Sequence, residues 1–378
     1  MTRGTRRIIC LGVLALAYSG SAGASPVGRM PATTAGAIAI ANLDHQIARL
    51  RDDAGVEALL LARSRFLGDY DALDRAVSLA ELRSRTGDDL LRRARTRSAV
   101  HRFAEALDDL AAAERGGADH DEVAALRDSI LVATGHAHDA IPRLEAEASA
   151  DPGFGSLASL ATAYAVAGRF ADADQSYAAA LADLDTTSPF PHAWLHFVRG
   201  MMWTEQAGNP ERGEAFYRQA LLHLPDFATA NIHLAELEAA RGDLALAVLR
   251  LRRVVAANNE PEALALLGML QLRMGDRVQG LRNIAKARRR YEALLVRHPL
   301  AFADHAAEFY LGPGADAERA WQLARRNLAN RETARAFELA IEAAGATGRD
   351  RDVRRLVAGA HARSVEIAQS AGADVMPP

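Results

Sequence analysis

Few side chains in this 378-residue sequence have the types and spacing that chemistry requires. His136 and His138 have the H-x-H spacing found among zinc ligands, but they lie in a turn between two helix-like segments rather than at the end of a strand. Gly153–Ala158 loosely matches a dinucleotide-binding loop, yet the segment before it is helix-like and ends at Pro152, where that motif needs a strand. The sequence therefore favours two turns over a metal site and a cofactor site.

A nucleophile with a base beside it is not evident either. The single cysteine, Cys10, lies in an apolar N-terminal run, and the sequence contains no G-x-S-x-G, P-loop or H-E-x-x-H motif. We therefore predict a protein without catalytic activity, without a cofactor and without a metal ion. Six further histidines share no ligand spacing: His192, His196, His223, His233, His298 and His305.

Residues 1–24 predict an export signal. Three arginines among the first seven residues precede the apolar run Ile8–Ala17, and small residues follow it as far as Ala24. An apolar run of this length is too short to remain as a membrane anchor. We therefore expect an exported protein of the periplasm or the external medium, with a flexible leader over residues 25–36. The mature chain would hold neither a cysteine nor a transmembrane segment.

A unit of about 34 residues repeats along the rest of the chain. In Phe154–Ser188, apolar side chains recur at helical spacing before and after Gly168, which predicts two short helices packed as a hairpin. Equivalent turns recur at steps of 33 or 34 residues, with two longer steps of 40 and 39. The second long step is explained by a helix that overruns to His298. The turn positions are Gly68, His101, Gly135, Gly168, Gly208, Gly242, Gly275, Gly314 and Gly348.

The unit resembles the tetratricopeptide repeat (TPR). That family places small residues where two helices approach closely, and aromatic residues where the gaps between helices must be filled. The unit that turns at Gly168 matches the pattern in full. Its small positions hold Ala161, Ala173 and Ala180, and its aromatic positions hold Tyr164, Phe170 and Tyr177.

The resemblance implies an all-α fold, a right-handed superhelical solenoid of about eight to nine helix hairpins. It would extend over residues 37–370, beginning with a helical cap at 37–53 and continuing with repeats at about 54–360. A C-terminal cap helix would follow the last repeat. Residues 371–378 would form a disordered tail.

The resemblance also implies a binding groove, because particular first-helix positions of TPR proteins line the inner, concave face. In the fifth to seventh units these positions are largely apolar, and exposed apolar patches commonly mark interaction sites. We therefore expect a protein or peptide partner with an apolar or amphipathic segment, unless a tight superhelix or the chain's own C-terminal helix fills the groove. The predicted groove residues are Arg65, Arg95, Met202, Glu205, Ile232, Glu236, Met269 and Leu272.

Two further expectations rest on this groove. Glu205 and Glu236 would contact a basic residue of the partner beside an apolar anchor. Replacing Met202 and Met269 together by aspartate would abolish partner binding and leave the melting temperature almost unchanged, because both side chains would be exposed.

Charge is distributed unevenly along the chain. Residues 103–152 hold 12 acidic and 3 basic residues, whereas residues 241–297 hold 12 basic and 5 acidic ones. The basic segment indicates contact with an anionic surface, and the alternative is that two solvated faces merely differ in sign. An overall net charge of −3, the export signal and the lack of interleaved aromatic and basic residues disfavour nucleic acid as a partner.

Together these features predict a non-catalytic scaffold or adaptor of the bacterial cell envelope that binds a polypeptide partner in the concave TPR groove. The alternative is a periplasmic accessory protein to an envelope enzyme or a carbohydrate-handling system. A stoichiometric protein partner would favour the first of these functions.

Signal cleavage is predicted between Ala24 and Ser25, since small residues at the end of the signal suit a signal peptidase. Mass spectrometry of the exported protein should give a chain that starts at Ser25. Retention of residues 1–24 on exported protein, or a lipid attached to Cys10, would contradict this prediction.

Overall fold

The computed structural model describes residues 33–83 and 85–362, which form only helices and their connections. None of the described helices is both long enough and apolar enough to cross a membrane. The predicted signal, most of the leader and the tail lie outside the described residues. In chain order the helices are α1 Gly36–Leu50, α2 Val56–Leu67, α3 Tyr70–Leu82, α4 Gly87–Ala99, α5 Phe103–Arg115, α6 His120–Ala133, α7 Ala137–Ala150, α8 Phe154–Val166, α9 Phe170–Asp183, α10 Pro189–Met201, α11 Pro210–His223, α12 Ala228–Arg241, α13 Leu244–Asn258, α14 Pro261–Arg273, α15 Arg277–Arg297, α16 Ala303–Leu311, α17 Ala317–Asn330, α18 Ala334–Ala346 and α19 Asp350–Ala362.

From α2 onward the helices pair as nine consecutive hairpins, from α2/α3 to α18/α19. This confirms the predicted all-α array of TPR-type hairpins. At the eighth turn the residue with positive φ is Ala315 rather than Gly314. Gly314 is needed there for space, because a Cβ atom on it would lie 2.6 Å from the ring of Phe309. The other eight predicted turn positions have positive φ: Gly68, His101, Gly135, Gly168, Gly208, Gly242, Gly275 and Gly348.

Small residues let the two helices of each hairpin approach closely. In the fourth hairpin, α8/α9, Ala161 and Ala173 are fully buried at the helix contact, and Tyr177 fills the space beside them. The Tyr177 hydroxyl is 3.1 Å from the Thr162 hydroxyl, so its buried polar atom has a partner. The packing follows the small and aromatic pattern of the sequence.

Two hairpins depart from the regular length. A π-helical turn over Met202–Gln206 extends α10 by five residues before the turn at Gly208. Helix α15 has 21 residues and ends at Arg297, which confirms the predicted overrun to His298. These extensions account for part of the extra length in the two long steps of the repeat.

The array closes on itself, because the first hairpins contact hairpins four to seven units later. Phe66 of α2 lies between Phe190 and Phe227, with ring centroids 4.9 and 5.0 Å away. Tyr70 of α3 packs edge-on against Phe302 at 4.9 Å. Apolar surface inside the superhelical turn is therefore buried against the beginning of the same chain.

Hydrogen bonds follow the same offset along the array. The Asn258 side-chain amide donates to the Leu67 carbonyl at 2.7 Å, across 191 residues of sequence. The Asn330 side-chain amide donates to the His101 carbonyl at 3.0 Å, across 229 residues. The Glu332 backbone N–H donates to the Thr134 carbonyl at 3.1 Å. Successive hairpins at the start of the chain thus meet successive hairpins near its end.

Alanine substitutions at two turn glycines can distinguish the stability that comes from this closure from the stability that comes from the turn itself. Gly135 and Gly242 both have φ of 95°, so alanine at either costs about 1–2 kcal/mol of backbone strain. A Cβ atom at Gly135 would also lie 2.6 Å from the Glu332 carbonyl oxygen, whereas one at Gly242 would meet nothing within 4 Å. We therefore expect Gly135→Ala to lower the free energy of unfolding by about 1–3 kcal/mol more than Gly242→Ala.

Urea denaturation of both variants measures this difference. Equal losses of stability in the two variants would show that the contact between the third and ninth hairpins contributes nothing to the fold.

Candidate functional site

The interior of the superhelical turn does not present the open apolar groove that the sequence predicts. Met202 and Ile232 are each only 1% exposed. Met202 belongs to the same apolar core as Phe66 of the first hairpin. Ile232 and Ser64 of that hairpin line the same cavity. The expectation that these two side chains are exposed is therefore wrong, because the first hairpin covers this part of the concave face.

Three other predicted groove residues are half-buried and contact their own array. Leu272 packs against α15, where its side chain lies 2.7 Å from the position of a Cβ atom at Gly280. Arg95 forms an ion pair with Glu122 of α6 at 2.5 Å. Met269 is partly covered by the apolar core of hairpins six and seven. Their role in partner binding stays a prediction.

Glu205 and Glu236 both face a buried histidine. The Glu205 carboxylate is 3.0 Å from His233 Nδ1, and the Glu236 carboxylate is 3.6 Å from the same atom. Burial raises the pKa of Glu205. Burial alone would lower the pKa of His233, but the Glu205 carboxylate raises it above its usual value. In the structure Glu205 and His233 form a contact between the fifth and sixth hairpins.

Arg65, the remaining predicted groove residue, lines a cavity of about 130 Å³ between the first hairpin and the sixth to eighth. Burial lowers the pKa of Arg65 to about 10. On the opposite wall, Glu260 accepts a hydrogen bond from the Ala263 backbone N–H at 2.6 Å and caps α14. The Tyr70 hydroxyl donates to Glu260 at 3.3 Å. These polar groups hold the first hairpin against α14.

A second group of buried titratable side chains lies where the second hairpin meets the eighth. His101 Nδ1 is 3.3 Å from the Leu300 carbonyl, and burial lowers the pKa of His101 to about 3. Asp304 forms a buried ion pair with Arg331. Burial alone would raise the pKa of Asp304, but the charges of His305 and Arg331 lower it to about 2. Sequence spacing gives no sign of this group, because its members come from different hairpins.

The surface of the molecule does carry an open apolar groove, which we call the α1–α13 groove. It has a volume of about 490 Å³. Leu246 and Leu249 of α13 are 45% and 53% exposed within it, and Ile40 of α1 lies opposite. Arg253 stands at its rim. Sequence reasoning missed this site because it forms only where the N-terminal helix meets the sixth hairpin.

The nine-hairpin array defines the class of this protein, an all-α solenoid of the tetratricopeptide-repeat type. No protein-family model matches the sequence, and no curated protein matches it.

Several solved TPR-type structures are similar to the chain. The Cut9–Hcn1 hetero-tetramer of the APC/C matches at 15% identity and a TM-score of 0.43, over 80% of this chain and 58% of that one. A tetratricopeptide repeat protein from Parabacteroides merdae matches at 16% identity and a TM-score of 0.39, over 66% and 93%. The human IFIT1 dimer with m7Gppp-AAAA matches at 14% identity and a TM-score of 0.44, over 85% and 79%. The chain thus spans 58% of the length of the Cut9 structure.

Burial reverses the expectation for aspartate at Met202. Because Met202 is 1% exposed among apolar side chains, we expect Met202→Asp to lower the free energy of unfolding by about 4 kcal/mol or more. Met269→Asp, at a half-buried position, is the matched comparison and should cost clearly less. Thermal melts followed by circular dichroism measure both. An unchanged melting temperature for Met202→Asp would contradict the burial of Met202 and would support the open concave groove that the sequence predicts.

Proposed function

We propose that this protein is a non-catalytic scaffold or adaptor of the bacterial cell envelope, and that it binds a polypeptide partner in the α1–α13 groove. The proposal rests on the open apolar groove itself, which lies on an array whose concave face is covered by the first hairpin around Met202 and Ile232. A rigid helical array with an exposed apolar groove suits the capture of a peptide segment.

The envelope location rests on the N-terminal export signal. Its basic head, apolar run and small residues before Ser25 support passage across the membrane. A protein placed there without a cysteine in its mature chain depends on helix packing for its stability. The extensive contacts between early and late hairpins are consistent with that need.

A non-catalytic role is supported by the way the buried titratable groups are used. Glu205 contacts His233, Asp304 pairs with Arg331, and Glu308 pairs with Arg335. The first and third contacts join neighbouring hairpins, and the second joins α16 to the end of α17 within the eighth hairpin. These groups therefore stabilise the packing of the helices. In an enzyme, we would expect such groups to face a substrate site.

The chemistry of the groove indicates what the partner segment should carry. Leu246 and Leu249 lie three residues apart on one face of α13, so they match apolar side chains at helical spacing on the partner. Arg250 is held by the buried Glu238 carboxylate at 2.7 Å. Arg253, by contrast, has no ion pair with any residue that the structure describes. An amphipathic segment with a carboxylate beside its apolar face fits this arrangement.

The proposal is tested by replacing the two exposed leucines with aspartate. A photo-crosslinking amino acid at position 249 should first capture the partner in intact cells, so that it can be identified and purified. We then expect Leu246→Asp combined with Leu249→Asp to weaken its binding about 100-fold, since two apolar contacts are lost. The melting temperature should stay close to that of the unmodified protein, because about half of each side chain is exposed.

Leu222→Asp is the matched control, because Leu222 of α11 is 68% exposed and lies outside the groove. Calorimetry with the purified partner should show unchanged affinity for this variant. Equal affinity of the groove variant and the control would rule out the α1–α13 groove as the binding site.

A further inference from the structure

The outward face of α15 combines exposed apolar residues with cations. Its inward face is formed by residues such as Gly280, Ala287, Tyr291 and Leu294, which pack on α14 and the following hairpin. On the opposite side, Val278 is 68% exposed and Val296 is 83% exposed. We call this side the α15 face. Its members are Arg277, Val278, Leu281, Arg282, Lys286, Arg288, Arg289 and Val296.

Four of the five cations of the α15 face have no acidic partner within the described residues, and the fifth, Arg288, donates to the Gly314 carbonyl and lies 5.3 Å from the centroid of the Tyr310 ring. Among the residues that the structure describes, no carboxylate lies within ion-pair distance of its five arginine and lysine side chains. Acidic groups near this face have other partners: Glu292, on the same helix, pairs with Arg319 at 2.9 Å. Asp69 pairs with Arg63 at 2.7 Å, and Asp71 lies 3.4 Å from Arg290. The α15 face therefore keeps an uncompensated positive charge.

In the acidic segment 103–152, by contrast, many of the charged side chains form ion pairs within the protein. Asp109 is held by Arg93 and Arg97 at 2.6 and 2.8 Å. Glu114 pairs with Arg127 at 2.9 Å, and the other paired carboxylates of this segment likewise bind arginines of the same or adjacent hairpins. Ion pairs within the protein thus neutralise much of the negative charge of residues 103–152. The positive charge of the α15 face remains exposed at the surface.

From these observations we propose that the α15 face docks on the surface of a lipid bilayer that carries anionic phospholipid. Helix α15 has 21 residues and so is about 32 Å long, which gives an extended ridge rather than a pocket. Its cations attract anionic headgroups, and its valine and leucine side chains enter the boundary between headgroups and acyl chains. No catalytic step and no change of fold is needed for this contact.

The apolar residues favour a bilayer over an acidic polypeptide. An acidic segment would satisfy the cations but would leave Val278, Leu281 and Val296 facing charged side chains. A bilayer interface accepts both kinds of residue along one helix face. The proposal is independent of the partner groove, because Leu246 and Leu249 lie on α13 and not on the α15 face.

Flotation with lipid vesicles tests the proposal. The protein is purified after export, its N-terminus is determined, and it is mixed with vesicles of phosphatidylcholine alone or with added phosphatidylglycerol. We expect binding to the anionic vesicles only, and a decrease as salt is added. Combining Arg282→Glu, Lys286→Glu and Arg289→Glu should reduce the partition coefficient at least about 100-fold. Val278→Ser with Leu281→Ser should reduce it about tenfold or more.

The matched control reverses three exposed arginines elsewhere, Arg115, Arg326 and Arg354, which likewise have no ion pair within the described residues. Their replacement by glutamate changes the net charge equally and should leave most of the vesicle binding intact. Equal loss in the control would overturn the proposal in favour of unspecific attraction by net charge. Failure of the unmodified protein to float, together with α15-dependent binding to polyglutamate, would replace the bilayer by an acidic polypeptide.

Discussion

The contact between the first hairpin and the fifth to eighth hairpins determines which surfaces of this structure remain open. A helix hairpin of this type cannot bury its apolar face alone, and an open solenoid leaves its concave side for a ligand. Here Phe66, between Phe190 and Phe227, and Tyr70, against Phe302, occupy that side. The inner surface around Met202 and Ile232 thereby becomes core, and the open apolar groove lies instead at the seam between α1 and α13.

The polar groups inside the turn follow from the same closure. Glu260 caps α14 and also accepts the Tyr70 hydroxyl, so a single carboxylate stabilises a helix end and the junction with the first hairpin. Buried carboxylates and histidines are costly unless each meets a partner. The buried ion pair between Asp304 and Arg331 meets that condition within the chain, whereas Glu205 meets His233 at 3.0 Å while His233 Nε2 has no hydrogen-bond partner among the described residues.

The hairpins themselves could be predicted from sequence, because their signals are local. Glycine at a turn, alanine at a helix contact and an aromatic residue in the adjoining gap all act within one unit, and the fourth hairpin follows them residue by residue. The extra length of α15 could also be predicted from local sequence, because its helical pattern continues without interruption. Even at the eighth turn the error was one residue, since Gly314 is required for space beside Phe309 while Ala315 takes the left-handed conformation.

The site could not be predicted to the same extent. Repeat position places Met202 and Ile232 on the concave side, but whether that side is open depends on Phe66 and its neighbours, more than 130 residues away in sequence. The α1–α13 groove likewise requires two segments that no local pattern connects. Charge counts showed the two oppositely charged segments, yet the neutralisation of the acidic one depends on which arginines reach it. The covered concave side, the α1–α13 groove and the neutralised acidic segment all depend on contacts between residues from different hairpins or helices.

The hydrogen bonds between residues about 190 to 230 positions apart also bear on how the chain folds. A linear repeat array can nucleate anywhere and can lose its end units singly, since each unit touches only its neighbours. Closure raises the mean sequence separation of the native contacts, and proteins rich in such contacts fold more slowly. It also ties the first three hairpins to later ones as far as Glu332, so the N-terminal hairpins cannot fray without exposing the core behind them. The molecule is built from repeats that elsewhere form linear arrays, but its long-range contacts lead us to expect the cooperative unfolding of a globular domain.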